Sequence, residues 1–222
     1  MLVKICGLTS VQDARLAAGA GADFLGIVMA ESSPRRATAE NARAILQAAF
    51  TQRIYLVFGY DDADYIRETF TALASSTTAL QIMADHPQID QLLKLAPTNR
   101  IMPSISAAEK VTAAQISRWE QHPLVLFDSH RKSRDFGGAA TTIAGGTGKT
   151  FDPANVAGIT RPYLYAGGLN PDNVAGIVAK VNPPGVDVAS GTEASPGIKD
   201  GAKVRAFIQN AKRAAQMIEV QQ

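Results

Sequence analysis

Eight short runs of β-branched and apolar residues recur along this chain at intervals of about 20 to 30 residues, separated by Ala- and Leu-rich stretches of helical pattern. They are LVKIC (2–6), DFLGIVM (23–29), RIYLVF (53–58), TALQIM (78–83), NRIMPSI (99–105), PLVLFD (123–128), PYLYAG (162–167) and GVDVAS (185–190). Strands and helices that alternate in this way build parallel sheet. Eight such units within 222 residues predict an α/β chain that forms one (β/α)8 TIM barrel of eight parallel strands across residues 1–222. An open doubly wound sheet would carry a glycine fingerprint after its first strand, and Cys6-Gly7-Leu8 is not one. Helix starts are signalled by Thr9 and Ser10 before VQDARLAAGA, by Thr38 before AENARAIL, and by Asn170-Pro171 before DNVAGIVA.

Composition removes several functional classes. The net charge of +2 is too small for a nucleic-acid binder, and no apolar run approaches the 18 or so residues that span a membrane. The N-terminal MLVKICG lacks the pattern of a cleaved secretion signal, so a cytoplasmic location is expected. A single cysteine cannot form an internal disulfide, and no Cys or His spacing suits a metal. The expected chemistry uses neither metal nor cofactor.

The stretch AGGTGKTF (144–151) invites comparison with the phosphate loop of nucleotide hydrolases. That pattern requires a glycine where Ile143 stands, and a helix where Phe151-Asp152-Pro153 interrupts the chain. The glycines instead suit a lid over a phosphorylated substrate, with Gly146 and Gly148 as its flexible points and Lys149 as a counter-charge. The whole stretch 129–152 is long for a barrel connection and leaves strand six where a lid would begin. For 129–143 a plain surface insertion is an equally good account.

In such a barrel the chemistry gathers where the strands end. Strand parity orders the candidates, because residues facing the helices must be apolar. Val3 and Ile5 facing outward turn Lys4 and Cys6 inward. Val125 with Phe127 and Val186 with Val188 likewise turn Asp128 and Asp187 inward. Closure makes strands one and eight neighbours, so Lys4 and Asp187 should form a buried ion pair, either as filling or as a tuning element for the site. Cys6 is either a small buried hydrophobe or, above a lysine, a thiol of lowered pKa acting as base or nucleophile. Asp128 is either a helix cap or arginine partner, or an acid kept protonated by an apolar cavity. Gly167, Gly168, Ser190 and Gly191, after strands seven and eight, allow backbone amides to approach a phosphate. Arg35 and Arg36 are candidates for a carboxylate; the alternative, a solvated pair of charges, suits Arg35 better.

KICGLT (4–9), SPRR (33–36), LFDS (126–129), GGTGKTFD (145–152), AGGLNPDNV (166–174) and VDVASGTEASPGIKD (186–200) together resemble the phosphoribosylanthranilate isomerase family, in order and spacing over nearly the whole chain. The resemblance implies a cofactor-free Amadori rearrangement in tryptophan biosynthesis, with N-(5'-phosphoribosyl)anthranilate as the phosphorylated small-molecule substrate. By motif it implies Asp128 as general acid, Cys6 as general base, Arg36 on the anthranilate carboxylate, and Gly167, Gly168, Ser190 and Gly191 on the phosphate. Gln81 and Asp187 would line the pocket. Met83 stands where the family usually has histidine, and Met102 near its usual lysine, which alters the expected wall around the aminobenzoate. Two alternatives accompany this reading: an isomerase of a related phosphorylated amino-sugar, and a barrel that binds a phosphorylated metabolite without turning it over. The oligomeric state is not legible in the sequence.

Overall fold

The computed structural model describes residues 1–48, 50–129, 132–134, 140–142 and 150–220. Eight parallel strands close into a barrel: β1 (Leu2–Ile5), β2 (Phe24–Val28), β3 (Arg53–Val57), β4 (Thr78–Met83), β5 (Ile101–Ser106), β6 (Val125–Asp128), β7 (Tyr163–Tyr165) and β8 (Gly185–Val188). Each is paired with its sequence neighbours, and β8 returns to β1 through Leu2↔Gly185, Val3↔Val186, Lys4↔Asp187 and Ile5↔Val188. Gly185 permits that seam, since a Cβ there would stand 2.5 Å from Leu164 and 2.8 Å from Leu2.

Two apolar layers follow from strand parity. Val3, Ile5, Leu25, Ile27, Ile54, Leu56, Val125, Phe127, Val186 and Val188 face outward and pack against the helices. Tyr55, Ala79, Met102, Leu126 and Leu164 fill the barrel interior beneath its mouth. Burial of alternate residues on opposite faces is what a closed parallel sheet wrapped in helices demands.

The helices are α1 (Val11–Gly19), α2 (Ala39–Gln47), α3 (Ala63–Leu73), α4 (Ile89–Leu92), α5 (Ala113–Ser117), α6 (Val174–Val181) and α7 (Gly201–Val220). Ser10 and Thr38 cap α1 and α2 by accepting from the amides of Asp13 and Asn41, each at 3.1 Å. Asn170 does not cap a helix directly. Its side chain accepts from the Asp172 and Asn173 amides in an Asx turn, and α6 begins only at Val174. Between β6 and β7 the described residues hold a two-stranded antiparallel ribbon, Lys132–Arg134 with Ala140–Thr142, and a 3-10 turn at Pro153–Val156. Most of the expected lid, Gly146, Gly148 and Lys149 included, lies outside the described residues. Among the described residues no helix is long and apolar enough to cross a membrane.

Candidate active site

A cavity opens at the C-terminal ends of the strands, and Cys6, Val28, Arg35, Gln81, Met83, Asp128, Gly167, Gly168, Asp187 and Ser190 are among the residues lining it. Parity thus brings Cys6, Asp128 and Asp187 to one space. Lys4 lies directly below, fully buried, with its ammonium 3.0 and 3.1 Å from the two Asp187 carboxylate oxygens. Gly26 on β2 makes room for this cluster. A Cβ there would stand 2.7 Å from the Cys6 sulfur and 3.1 Å from the Lys4 nitrogen.

Burial and charge pull against each other here. For Lys4, burial works to lower the pKa, but Asp187 and Cys6 outweigh it and the ammonium is pushed up to about 12. For Asp187, burial pushes the carboxyl up while Lys4 pulls it back. For Cys6, burial is the largest influence and raises the thiol above its ordinary value. Lys4 and Lys199 oppose that rise, and Asp187 adds to it. The expected lowering of the Cys6 pKa is therefore corrected: at 5% exposure, loss of solvation outweighs two nearby cations.

Asp128 ends β6 at the cavity's edge, and the Ser129 hydroxyl donates to it at 3.4 Å. Gly167 makes this corner possible. Its φ is +86°, and a Cβ would lie 2.3 Å from the Ser129 oxygen and 2.7 Å from Asp128 Oδ1. Gly168 follows with φ +66°, its carbonyl accepting from Asn173 Nδ2 at 2.9 Å. Two successive left-handed residues let the backbone turn beside the cavity, where Gly167, Gly168 and Ser190 all line it. Gly191 stands apart. It lines a neighbouring depression with Asn170, Ser190 and Lys203, and a Cβ on it would come within 1.9 Å of the Leu169 carbonyl.

The two arginines take positions opposite to those expected. After β2 the chain folds back beside its own strand: Arg36 bridges Val28, and the Ala37 amide donates to the Val28 carbonyl at 2.8 Å. That turn sends Arg35 to the cavity and Arg36 to the rim. Arg36 is 43% exposed, donates to the Tyr65 hydroxyl at 3.1 Å, and faces the Tyr65 ring at 5.5 Å. Arg35 is 12% exposed, and its Nε donates to both Glu193 oxygens at 2.9 and 3.0 Å. It is neither solvated nor a mere helix leader.

Glu193 also accepts from the buried Lys199 ammonium at 3.3 Å, and Lys199 donates to the Ala189 carbonyl at 2.8 Å. Burial lowers the Lys199 pKa, against the pull of Glu193 and Cys6. The sequence reading missed Glu193 and Lys199. Their signal was the Ser195-Pro196-Gly197 turn between them, which folds Glu193–Ser195 against Ile198–Lys199 and registers Glu193 with Lys199. The two methionines also separate: Met83 lines the cavity, whereas Met102 is fully buried in the barrel interior and forms no part of that wall.

The chain has counterparts among known proteins. The family model described as N-(5'phosphoribosyl)anthranilate (PRA) isomerase matches residues 3–210. The N-(5'-phosphoribosyl)anthranilate isomerase of Xanthomonas euvesicatoria pv. vesicatoria (strain 85-10) is 35% identical over 218 residues, covering 96% of this chain and 93% of that protein. The enzyme of the same name from Pelobacter propionicus is 36% identical, covering 95% of each chain. Among solved structures, the phosphoribosyl anthranilate isomerase of Thermus thermophilus superposes with a TM-score of 0.75 at 26% identity, over 96% of this chain and 99% of that one. A phosphoribosyl anthranilate isomerase in complex with reduced 1-(o-carboxyphenylamino)-1-deoxyribulose 5-phosphate gives 0.72 at 28% identity, over 96% and 100%.

Proposed function

The chain belongs to the N-(5'-phosphoribosyl)anthranilate isomerase family, and from that premise we infer that it catalyses the aldose–ketose isomerisation of N-(5'-phosphoribosyl)anthranilate in tryptophan biosynthesis. The product is 1-(2-carboxyphenylamino)-1-deoxyribulose 5-phosphate. The observation that carries the assignment of roles is the convergence of Cys6, Asp128, Arg35 and the Gly167-Gly168 turn on one cavity.

In this reading Asp128 protonates the furanose ring oxygen. The bond from that oxygen to C1 breaks as the nitrogen lone pair forms a Schiff base. The Cys6 thiolate then removes the C2 proton, and the C2–H electrons flow toward the nitrogen to give an enolamine. Tautomerisation of the enolamine yields the ketose. Lys4 and Lys199 favour the thiolate electrostatically, which partly offsets the burial that opposes it. The carboxylate contact belongs to Arg35, whose Nε is already committed to Glu193. Arg36, directed at Tyr65, has no such role. The phosphate lies against the backbone of Gly167, Gly168 and Ser190, with Gly191 holding the adjoining turn.

The test follows the loss of anthranilate fluorescence as phosphoribosylanthranilate, generated in situ, is consumed. Wild-type turnover should fall by at least about a thousandfold in Cys6→Ala and in Asp128→Asn, since each removes a proton-transfer group. A wild type that binds a phosphorylated analogue without turnover would redirect the assignment to a related amino-sugar.

A further inference from the structure

Gln81 is 7% exposed and lines the cavity, yet its Oε1 is buried without a hydrogen-bond partner among the described residues. An amide acceptor buried without a partner destabilises a folded chain, so one at the wall of a reaction cavity calls for an explanation. Its surroundings offer no structural one. Val57 and Met102 flank it in register on β3 and β5, and Met83 is the next inward residue of β4. The nearest polar wall residue by register is Ser104 of β5, 4% exposed, which pairs across from Met83 and brings its hydroxyl to the same cavity.

Barrel topology fixes what these two groups face. In the ring of eight strands, β5 lies opposite β1 and β4 opposite β8. Gln81 and Ser104 therefore look across the mouth at Cys6 and Asp187. C2 of the substrate carries one hydrogen and one hydroxyl on a tetrahedral carbon. With the hydrogen turned toward Cys6 for removal, the hydroxyl is one of three substituents on C2 that point away from β1, and of those three it alone is a hydrogen-bond donor that the unmatched amide acceptor on the β4–β5 wall can receive.

We infer that Gln81, assisted by Ser104, is the seat of the C2 oxygen and a catalytic residue of the isomerisation. This rests on the isomerase reading above. The C2 oxygen is an O–H donor in the Schiff base and the enolamine, and a carbonyl acceptor in the ketose. A primary amide offers an acceptor at one end and two donors at the other, and a half-turn of its terminal torsion exchanges them. Gln81 thereby serves both forms of the C2 oxygen without gaining or losing a proton. The hydrogen that leaves the C2 hydroxyl in the last tautomerisation is balanced by the one that arrives at C1. Ser104 can likewise accept from the alcohol or donate to the ketone.

The experiment compares Gln81→Met and Ser104→Ala with the wild type by three measurements: kcat and KM on phosphoribosylanthranilate, calorimetric affinity for the reduced product, which keeps an alcohol at C2, and Tm. Gln81→Met removes an amide that has no partner for its oxygen, so its Tm should equal or exceed that of the wild type. Its kcat should fall about 10- to 100-fold with a smaller change in KM, and its affinity for the reduced product about tenfold. Ser104→Ala, a loss of one oxygen, should lower kcat several-fold and supplies the second readout if the methionine variant does not fold. A kcat and affinity within twofold of wild type in the folded variants would overturn the assignment. So would losses that accompany a Tm drop of several degrees, because the amide would then be structural. A wild type that binds the reduced product but turns over nothing would sink the isomerase reading alone, and the affinities of the variants would still decide the seat.

Discussion

Cys6 must be a thiolate to accept a proton, yet burial holds its thiol above the ordinary value. The thiolate is therefore a minority form at neutral pH. Alkylation of Cys6, the chain's single cysteine, by iodoacetamide should quicken about tenfold per pH unit up to a limb above the ordinary thiol range. Lys199 lowers the thiol, so Lys199→Met should move the limb to still higher pH. An alkylation limb at or below the ordinary thiol range would show that the two lysines outweigh burial. The arginines give a second test at this scale. Arg35→Ala should raise KM about 100-fold or more by removing a charge-assisted carboxylate contact, while Arg36→Ala should leave KM within about threefold. Steady-state kinetics on the two variants checks which one reaches the substrate. The reverse pattern would restore the order expected from the resemblance.

Among the elements, the turn after β7 has the tightest tolerance. Gly167 combines a φ of +86° with a Cβ position 2.3 Å from Ser129 and 2.7 Å from Asp128. Gly167→Ala must move either the turn or the Asp128 carboxylate, and an acid displaced by about 1 Å loses roughly 100-fold in rate. The same strain should lower stability by about 1–3 kcal/mol, readable in urea melts. Unchanged kcat and unchanged midpoint would show that the turn has more freedom than its packing allows. The Glu193–Lys199 ribbon works differently: it carries no apolar core of its own and instead holds one buried and one half-buried cation, Lys199 and Arg35, around one carboxylate, which fixes Arg35 at the cavity wall. This explains why these charges escaped notice in the sequence. They lie in a loop without strand alternation, and their partners are more than 150 positions away or across a tight turn.

For the molecule as a whole, the Lys4–Asp187 pair is a seam between the first and last strands of the barrel. Lys4→Met would leave the Asp187 carboxylate buried without its counter-charge, at a cost of about 3–5 kcal/mol. Lys4→Met with Asp187→Leu should recover a good part of that loss. Denaturant midpoints of the single and double variants check this, and equal losses in both would mean that the pair does not act through charge. The barrel, its strand sequence, the inward set of Lys4, Cys6, Asp128 and Asp187, and the placing of Gly167 and Gly168 beside the cavity were all legible without coordinates. Hydrophobic periodicity is local, and parity then orders the two faces of each strand. The sequence could not say which of two adjacent arginines enters the cavity, because the fold-back of Ala37 onto Val28 sets that. Nor could it give the direction of the Cys6 shift, which depends on how much solvent the closed barrel removes. It also left Gln81 as one more pocket residue. Only the tertiary structure shows an amide oxygen without a partner, facing β1 and β8 across the barrel, since hydrogen-bond satisfaction is a property of the assembled cavity.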